Sequence, residues 1–185
     1  GSGTGATLIS GGVGSSVTGI TENSSTSALN ITTNAITVNS GGTTLIVGSG
    51  ASTFTVSGGT TGTGNLTLQN NSATNNNLTL QTTSINNVGT ITNSGSGTGA
   101  TLISAVIGSS VTDIVQNSAT SALVLSSASN AYTGVTTITA GTLKLGAAGV
   151  VPDTSAVTIT GTLDLAGYSE VVGSIAGSGT ITSST

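Results

Sequence analysis

Valine, isoleucine and leucine alternate with threonine, asparagine and serine in short runs from one end of this chain to the other. Alternation with a period of two places successive side chains on opposite faces of an extended strand. It predicts strands at Ala6–Ser10, Ala28–Thr32, Ala35–Asn39, Thr43–Val47, Thr53–Ser57, Asn65–Gln69 and Asn77–Gln81. Further strands are predicted at Gly89–Asn93, Ala122–Ser126, Thr136–Ala140, Gly141–Leu145, Ala156–Thr160, Gly161–Leu165 and Gly179–Ser183. Gly, Asn, Ser or Ala bounds each run, and no segment has the 3.6-residue period of a helix. The inward-facing set expected from this pattern is Leu8, Leu29, Leu45, Leu66, Leu68, Leu78, Leu80, Ile91, Leu102, Leu123, Leu143, Leu145, Leu163, Leu165 and Ile181.

The pattern also repeats on a longer scale. Gly1–Ser10 returns residue for residue as Gly95–Ser104, and 22 of the first 30 positions are identical to those 94 residues later. The matches include Leu8, Ile9, Val17, Ile20 and Leu29, in order, which low-complexity drift does not produce. A fixed period marks an architecture made by stacking one unit on the next. The chain therefore divides into repeats 1–94 and 95–185 within one continuous solenoid, 1–185. Gly89-Thr90-Ile91-Thr92-Asn93-Ser94 precedes the second copy, and Gly179-Thr180-Ile181-Thr182-Ser183-Ser184-Thr185 is nearly the same phrase. Thr185 followed by Gly1 would almost recreate the internal junction, so the chain reads as one period of a tandem array or of a head-to-tail stack.

Core volume decides between all-β architectures. A sandwich must fill about 10 Å between its sheets, yet the large residues are almost confined to Phe54, Tyr132 and Tyr168. The narrow bore of a parallel β-helix is filled by Val, Ile, Leu, Ala and Thr alone. Asn and Thr there are expected to form ladders from coil to coil at about 4.8 Å. The expected fold is all-β: a single right-handed parallel β-helix without caps, with about 20–25 residues per coil and roughly eight coils.

Composition removes most other functions. One Lys+Arg stands against five Asp+Glu, a formal net charge of -4, which disfavours nucleic acid as a partner. The chain has no His and no Cys, so imidazole and thiolate metal sites, Cys nucleophiles, His bases and disulfides are excluded by inventory. An apolar fraction of 35%, in regular alternation, argues against a disordered Gly/Ser tract. No apolar run approaches a membrane span, and any export signal would lie outside this stretch.

From Asn130 onward the chain resembles the passenger-associated repeat of bacterial autotransporters and related large surface proteins. The carrying residues are Asn130-Ala131-Tyr132-Thr133-Gly134, Thr136-Thr137-Ile138 and Ala140-Gly141-Thr142-Leu143-Lys144-Leu145-Gly146. The pattern resumes at Ala156-Val157-Thr158, Gly161-Thr162-Leu163-Asp164-Leu165, Gly167 and Gly173-Ser174-Ile175, then Gly177-Ser178-Gly179-Thr180-Ile181, so that the repeat covers 130–181. Asn65-Leu66-Thr67-Leu68 and Asn86–Ser94 match the polar segments that accompany it more loosely. Val135 stands where a second Gly is usual, and Val150-Val151-Pro152-Asp153 replaces a Gly-rich turn. The resemblance implies a right-handed parallel β-helix, an extracellular or bacterial cell-surface location and a stalk-like or adhesive role, with no catalytic residues.

The candidate chemistry is sparse. Glu22, Asp113, Asp153, Asp164 and Glu170 are the acids, and paired-carboxylate catalysis needs two of them held over a substrate. Lys144 lies about one coil before Asp164, so a ladder ion pair is expected there. Asn23, Asn30, Asn65, Asn70 and Asn77 begin formal glycosylation triplets that read better as corners or ladders. The Gly-x-Gly runs at Gly1–Gly5 and Gly95–Gly99 have no following helix and no nearby Lys, which makes them corners and not phosphate loops. No catalytic residue, cofactor or metal site is expected. The expected role is a structural β-solenoid segment of a fibre or surface stalk, with itself as partner through coil stacking. An adhesive surface for glycans is the alternative. An ice-binding face, suggested by Thr53-Phe54-Thr55, Thr90-Ile91-Thr92, Thr158-Ile159-Thr160 and Thr180-Ile181-Thr182, ranks below both.

Overall fold

The computed structural model describes residues 3–184, and among them there is no helix. The strands of the first half are β1 (Thr7–Ile9), β2 (Gly19–Glu22), β3 (Leu29–Ile31), β4 (Ile36–Val38), β5 (Thr43–Val47), β6 (Phe54–Val56), β7 (Thr60–Gly62), β8 (Leu66–Asn70), β9 (Leu78–Leu80) and β10 (Gly89–Asn93). The second half adds β11 (Thr101–Ile103), β12 (Val111–Asn117), β13 (Leu123–Leu125), β14 (Thr136–Ala140), β15 (Thr142–Leu145), β16 (Ala156–Ile159), β17 (Thr162–Asp164), β18 (Ser174–Ala176) and β19 (Thr180–Thr182). Every pairing between them is parallel.

These strands form a β-solenoid. One wall is a nine-stranded sheet in the order β1-β3-β6-β9-β11-β13-β15-β17-β19, and the facing wall an eight-stranded sheet in the order β18-β16-β14-β12-β10-β8-β5-β2. A narrower third wall holds β4 and β7, extended by single bridges that link Val13 to Ile36, Thr60 to Ile85 and Ile85 to Ile107. Inward residues, apolar but for Thr101, stack in columns down the bore, such as Leu29, Phe54, Leu78, Thr101, Leu123, Leu143 and Leu163. Of these all but Leu29 and Leu163 are 0% exposed.

The 94-residue repeat has a simple structural meaning. Thr7 pairs with Leu29, Leu29 with Phe54, Phe54 with Leu78 and Leu78 with Thr101, so that residues 94 apart sit four coils apart at the same place in the wall. Those steps take 22 to 25 residues. The next four, through Leu123, Leu143, Leu163 and Ile181, shorten to between 22 and 18. The shortening falls at one corner. Seven residues, 71–77, join β8 to β9, whereas Gly141 alone joins β14 to β15. Gly141 has φ +64, and a Cβ there would lie 2.0 Å from the Ser118 carbonyl oxygen, so both the turn and the close approach require glycine.

The near-copies at the end of each repeat do not occupy equivalent places. Gly89–Asn93 forms β10 of the eight-stranded wall, whereas Thr180–Thr182 forms β19 of the nine-stranded wall. A direct Thr185–Gly1 junction would put Thr7 only 11 residues after Ile181, less than any coil step in the molecule. The resemblance of the two phrases is thus one of strand type and not of position in the coil.

Two of the expected inward residues face outward, and a third is inward but uncovered. Leu8 and Leu102 point outward because β1 and β11 pair in register with Leu29-Asn30-Ile31 and Leu78-Thr79-Leu80, which sets Leu8 beside Asn30 and Leu102 beside Thr79. Thr101 and Ile103 take the core positions at 0% exposure, while Leu8 is 63% exposed. Ile181 continues the inward column above Leu163 but is 47% exposed, since no described coil covers it. Val150 and Val151, read as a corner, are buried in the bore.

Replacing Leu66 or Leu80 by Asp should lower stability by at least about 3 kcal/mol, because the new carboxylate would have no partner in the bore. Leu8→Asp should stay within about 0.5 kcal/mol of the parent. Chemical denaturation of the three variants, followed by circular dichroism, checks both the register and the outward assignment of Leu8.

Candidate functional site

The polar residues fall into two groups: those that line the bore at one corner and those that tie neighbouring coils together outside it. Inside, Asn70, Asn93 and Gln116 are fully buried. Asn93 Nδ2 donates to Gln116 Oε1 of the next coil at 2.8 Å and to the Ser121 carbonyl at 2.8 Å, and Thr101 Oγ1 donates to Asn93 Oδ1 at 3.1 Å. Gln116 Nε2 donates to the carbonyls of Ser118 and Ser121. Asn70 Nδ2 donates to the Ala100 carbonyl at 2.9 Å. A buried amide without such partners would lose about 1–3 kcal/mol, so this closed network is what permits a polar corner in an apolar bore. Apart from Asn93 with Gln116, the expected side-chain-to-side-chain amide ladder is replaced by side-chain-to-backbone bonds.

Outside, Asn oxygens accept backbone amides from the coil that follows. Asn65 Oδ1 accepts from Thr90, Asn71 Oδ1 from Ser96, Asn75 Oδ1 from Ala100 and Asn86 Oδ1 from Ser110, at 2.8 to 3.1 Å. Of the glycosylation triplets, Asn65 makes such a bond, and Asn70 and Asn77 are buried.

The acids do similar work. Asp113 Oδ1 accepts from the Val135 amide at 2.9 Å and Glu170 Oε2 from the Val150 amide at 3.0 Å, each one coil away. Glu22 Oε1 accepts from Ser24 at 2.5 Å within its own corner. Asp164 accepts from the amides of Ala166 and Ser184 and from the Ser184 hydroxyl. Lys144 stands in register one coil from Asp164, with Nζ 3.6 Å from Oδ2, which is the expected ladder pair. Burial alone would raise the Asp164 carboxyl; the Ser184 and Ala166 donors and the Lys144 charge outweigh it and hold the group at about 2. Burial pushes Glu170 above its ordinary range, and its Oε1 has no partner among the described residues. Burial also drives Tyr132 up to about 12, against the hydrogen bond of its hydroxyl with Thr136. Among the described residues no three acids gather into a cation site.

The outer surface carries an open groove of about 570 Å³ on the nine-stranded wall. Leu102, Val124 and Lys144, the outward residues of successive strands, form its floor, and Tyr168, Asn75 and Asn76 stand along it. The Thr-x-Thr triplets do not share one face. Thr90–Thr92 and Thr158 lie on the eight-stranded wall, Thr55 and Thr180–Thr182 on the nine-stranded one.

The Gly-x-Gly runs are corners set by close approach. A Cβ on Gly95, Gly97 or Gly99 would lie 2.4, 2.1 or 2.1 Å from a carbonyl oxygen of the Asn70–Thr74 corner beneath. The described part of the first run, Gly3 and Gly5, has no such neighbour.

The class of protein defined by these features is a parallel β-solenoid whose buried amides and corner Asn oxygens join successive coils. Comparison with known protein families, curated proteins and solved structures finds no match to this chain.

Because the Asp164 carboxyl is depressed in the fold, its contribution is present above about pH 4 and is lost as pH falls toward 2. Asp164→Asn should loosen the last coil by about 1 kcal/mol at neutral pH. Hydrogen exchange at Ala166 and Ser184 should show a gap between variant and parent at pH 6 that closes near pH 2.

Proposed function

We propose that this chain is a structural segment of an extracellular fibre or surface stalk, extended by stacking further β-coils on its ends. The observation that carries this reading is the uncovered state of core columns at both ends. At one end Ile175 and Ile181, in register with the buried Val157 and Leu163, are 55% and 47% exposed. At the other, Thr7 is exposed and Ile9, Val13, Val17 and Ile20 are partly so, whereas their counterparts Thr101, Ile103, Ile107, Val111 and Ile114 are all 0% exposed. Parallel strands at both edges also leave unpaired backbone groups that another coil can satisfy. The use of the buried amides and of Asn65, Asn71, Asn75, Asn86, Asp113 and Glu170 for coil-to-coil bonding supports a scaffold over a catalyst, and the resemblance at 130–181 supports a place outside the cell.

Electron microscopy of the native material, with intact mass under denaturing conditions, tests the reading. Fibres of 17.4 kDa chains would mean self-assembly, and rods of much heavier chains a tandem array. Short rods that do not lengthen with concentration, from a parent polypeptide holding no further coils, would overturn it.

A second reading, an adhesive surface for glycans, is favoured by the groove, where the Tyr168 ring, 44% exposed, lies with Lys144 and the Asn75 and Asn76 amides. Aromatic faces with adjacent amide donors suit sugar rings. On a glycan array, Tyr168→Ala should abolish at least about nine-tenths of any binding by the parent, a loss of about 1.4 kcal/mol. Retained binding would place the ligand elsewhere.

A further inference from the structure

We propose that the face of the solenoid bearing Gly3, Gly5 and Gly14 docks a wide coil of the kind spanning residues 70–93, the final coil of another 94-residue unit, and not the C-terminal coil of a second copy. This rests on the reading above, that coils add at the ends, and specifies which coil fits.

The second repeat supplies the comparison, because each of its residues has a coil beneath. Gly97, Gly99 and Gly108 are pressed against that coil: a Cβ on them would lie 2.1 Å from the Ser72 oxygen, 2.1 Å from the Thr74 oxygen and 2.2 Å from Asn86 Oδ1. None has a positive φ, so the requirement is space and not backbone conformation. Gly3, Gly5 and Gly14 stand at the same positions of the first repeat, yet a Cβ on Gly5 or Gly14 would have no described neighbour within 4 Å, and one on Gly3 would meet only the Gly5 nitrogen at 4.0 Å. Glycine is retained where nothing described occupies the room it leaves.

The backbone supports the same conclusion. In the second repeat the amides of Ala100, Ser104 and Ser110 donate downward to Asn75 Oδ1, the Leu80 carbonyl and Asn86 Oδ1. Their counterparts Ala6, Ser10 and Ser16 have no acceptor among the described residues. Glu22 stands where Gln116 accepts from Asn93 Nδ2, and its carboxylate suits the same amide donor.

The chemistry of the missing coil follows. It must pass its backbone beneath Gly3 and Gly5 through a long corner and offer Asn oxygens to Ala6 and Ser16. Residues 70–93 do this through the seven-residue corner 71–77 and through Asn75 and Asn86. The last coil cannot. Its corner, Gly177-Ser178-Gly179, has three residues, and no Asn occurs after Asn130.

Two fusions test this. In the first, residues 1–94 precede the whole chain, so that Ser94 joins Gly1 as it joins Gly95 inside. In the second, residues 1–185 precede it. Hydrogen exchange at Ala6, Ser10 and Ser16 of the downstream copy should slow roughly 100-fold in the first fusion, toward the rates of Ala100, Ser104 and Ser110. In the second it should remain at the rate of the parent. Equal protection in both fusions would refute the preference for the wide coil and leave end-stacking intact. Protection in neither would refute end-stacking at this face. Glycine substitution gives an arm independent of the fusions. In the parent chain the double change Gly3→Val and Gly5→Val should leave the melting temperature within about 2 °C, while Gly97→Val with Gly99→Val should prevent folding. In the first fusion the Gly3→Val, Gly5→Val pair in the downstream copy should abolish the gained protection. A large loss of stability from that pair in the parent would overturn the claim that the space is open.

Discussion

Parallel pairing of each coil with the next is the constraint from which the rest of the structure follows. Strands in register at about 4.8 Å bring like positions of successive coils into contact, so that an inward residue must be apolar, or hydrogen-bonded, in every coil. The columns through Leu29, Phe54 and Leu78 and through Leu66, Ile91 and Ile114 meet that condition with branched aliphatic side chains and one phenylalanine. Where inward positions are polar, at Asn70, Asn93 and Gln116, the amides close a network with the corner carbonyls and with Thr101. The bore therefore stays paired with Phe54 and Tyr132 as its buried aromatics and without disulfides or many charges.

The same spacing explains the corners, which divide between two residue types. Where one backbone passes directly over another, only a missing Cβ fits, as at Gly64, Gly97 and Gly99. Where the chain swings wider, a short side chain with a carbonyl or carboxylate oxygen spans the gap, as Asn65, Asn71, Asn86, Asp113 and Glu170 do. The acids are few because a neutral amide performs this task without the desolvation a carboxylate suffers. Glu170 shows that cost in its raised carboxyl and unpaired Oε1.

Coil size decides how wide the bore is. The first four steps of 22 to 25 residues maintain a third wall, and bridges along it reach Ile107. Above it the corner between the two large walls contracts to Gly141. Tyr132, with Val150 and Val151, fills the interior at this level, and its hydroxyl bonds Thr136 at 2.7 Å. The solenoid thus narrows toward Thr182, and its two ends differ in cross-section.

Strand type, the parallel solenoid and the coil length were legible in the sequence, because period-two alternation and the 94-residue repeat are local or nearly local signals. Thr43–Val47, Gly89–Asn93 and Thr136–Ala140 fall at the expected boundaries. The Lys144–Asp164 pair was legible too, since one coil of spacing separates two of the few charges. Five strands were not anticipated, β2, β7, β11, β12 and β18. In Val111–Asn117 the polar Asp113 and Gln116 obscure the alternation, and in Thr60–Gly62 the inward residue is a threonine. Thr-Leu-Ile illustrates the limit: alone, its leucine is the better core residue, yet pairing with Leu78-Thr79-Leu80 turns Thr101 and Ile103 inward, and the Asn93 side chain makes the buried hydroxyl tolerable. The sequence by itself determined that the chain coils and roughly how often. Only the tertiary structure decided which face of each strand is inside, which glycines are pressed by a neighbour, and on which wall each phrase lies, because those depend on the register between segments about twenty residues apart.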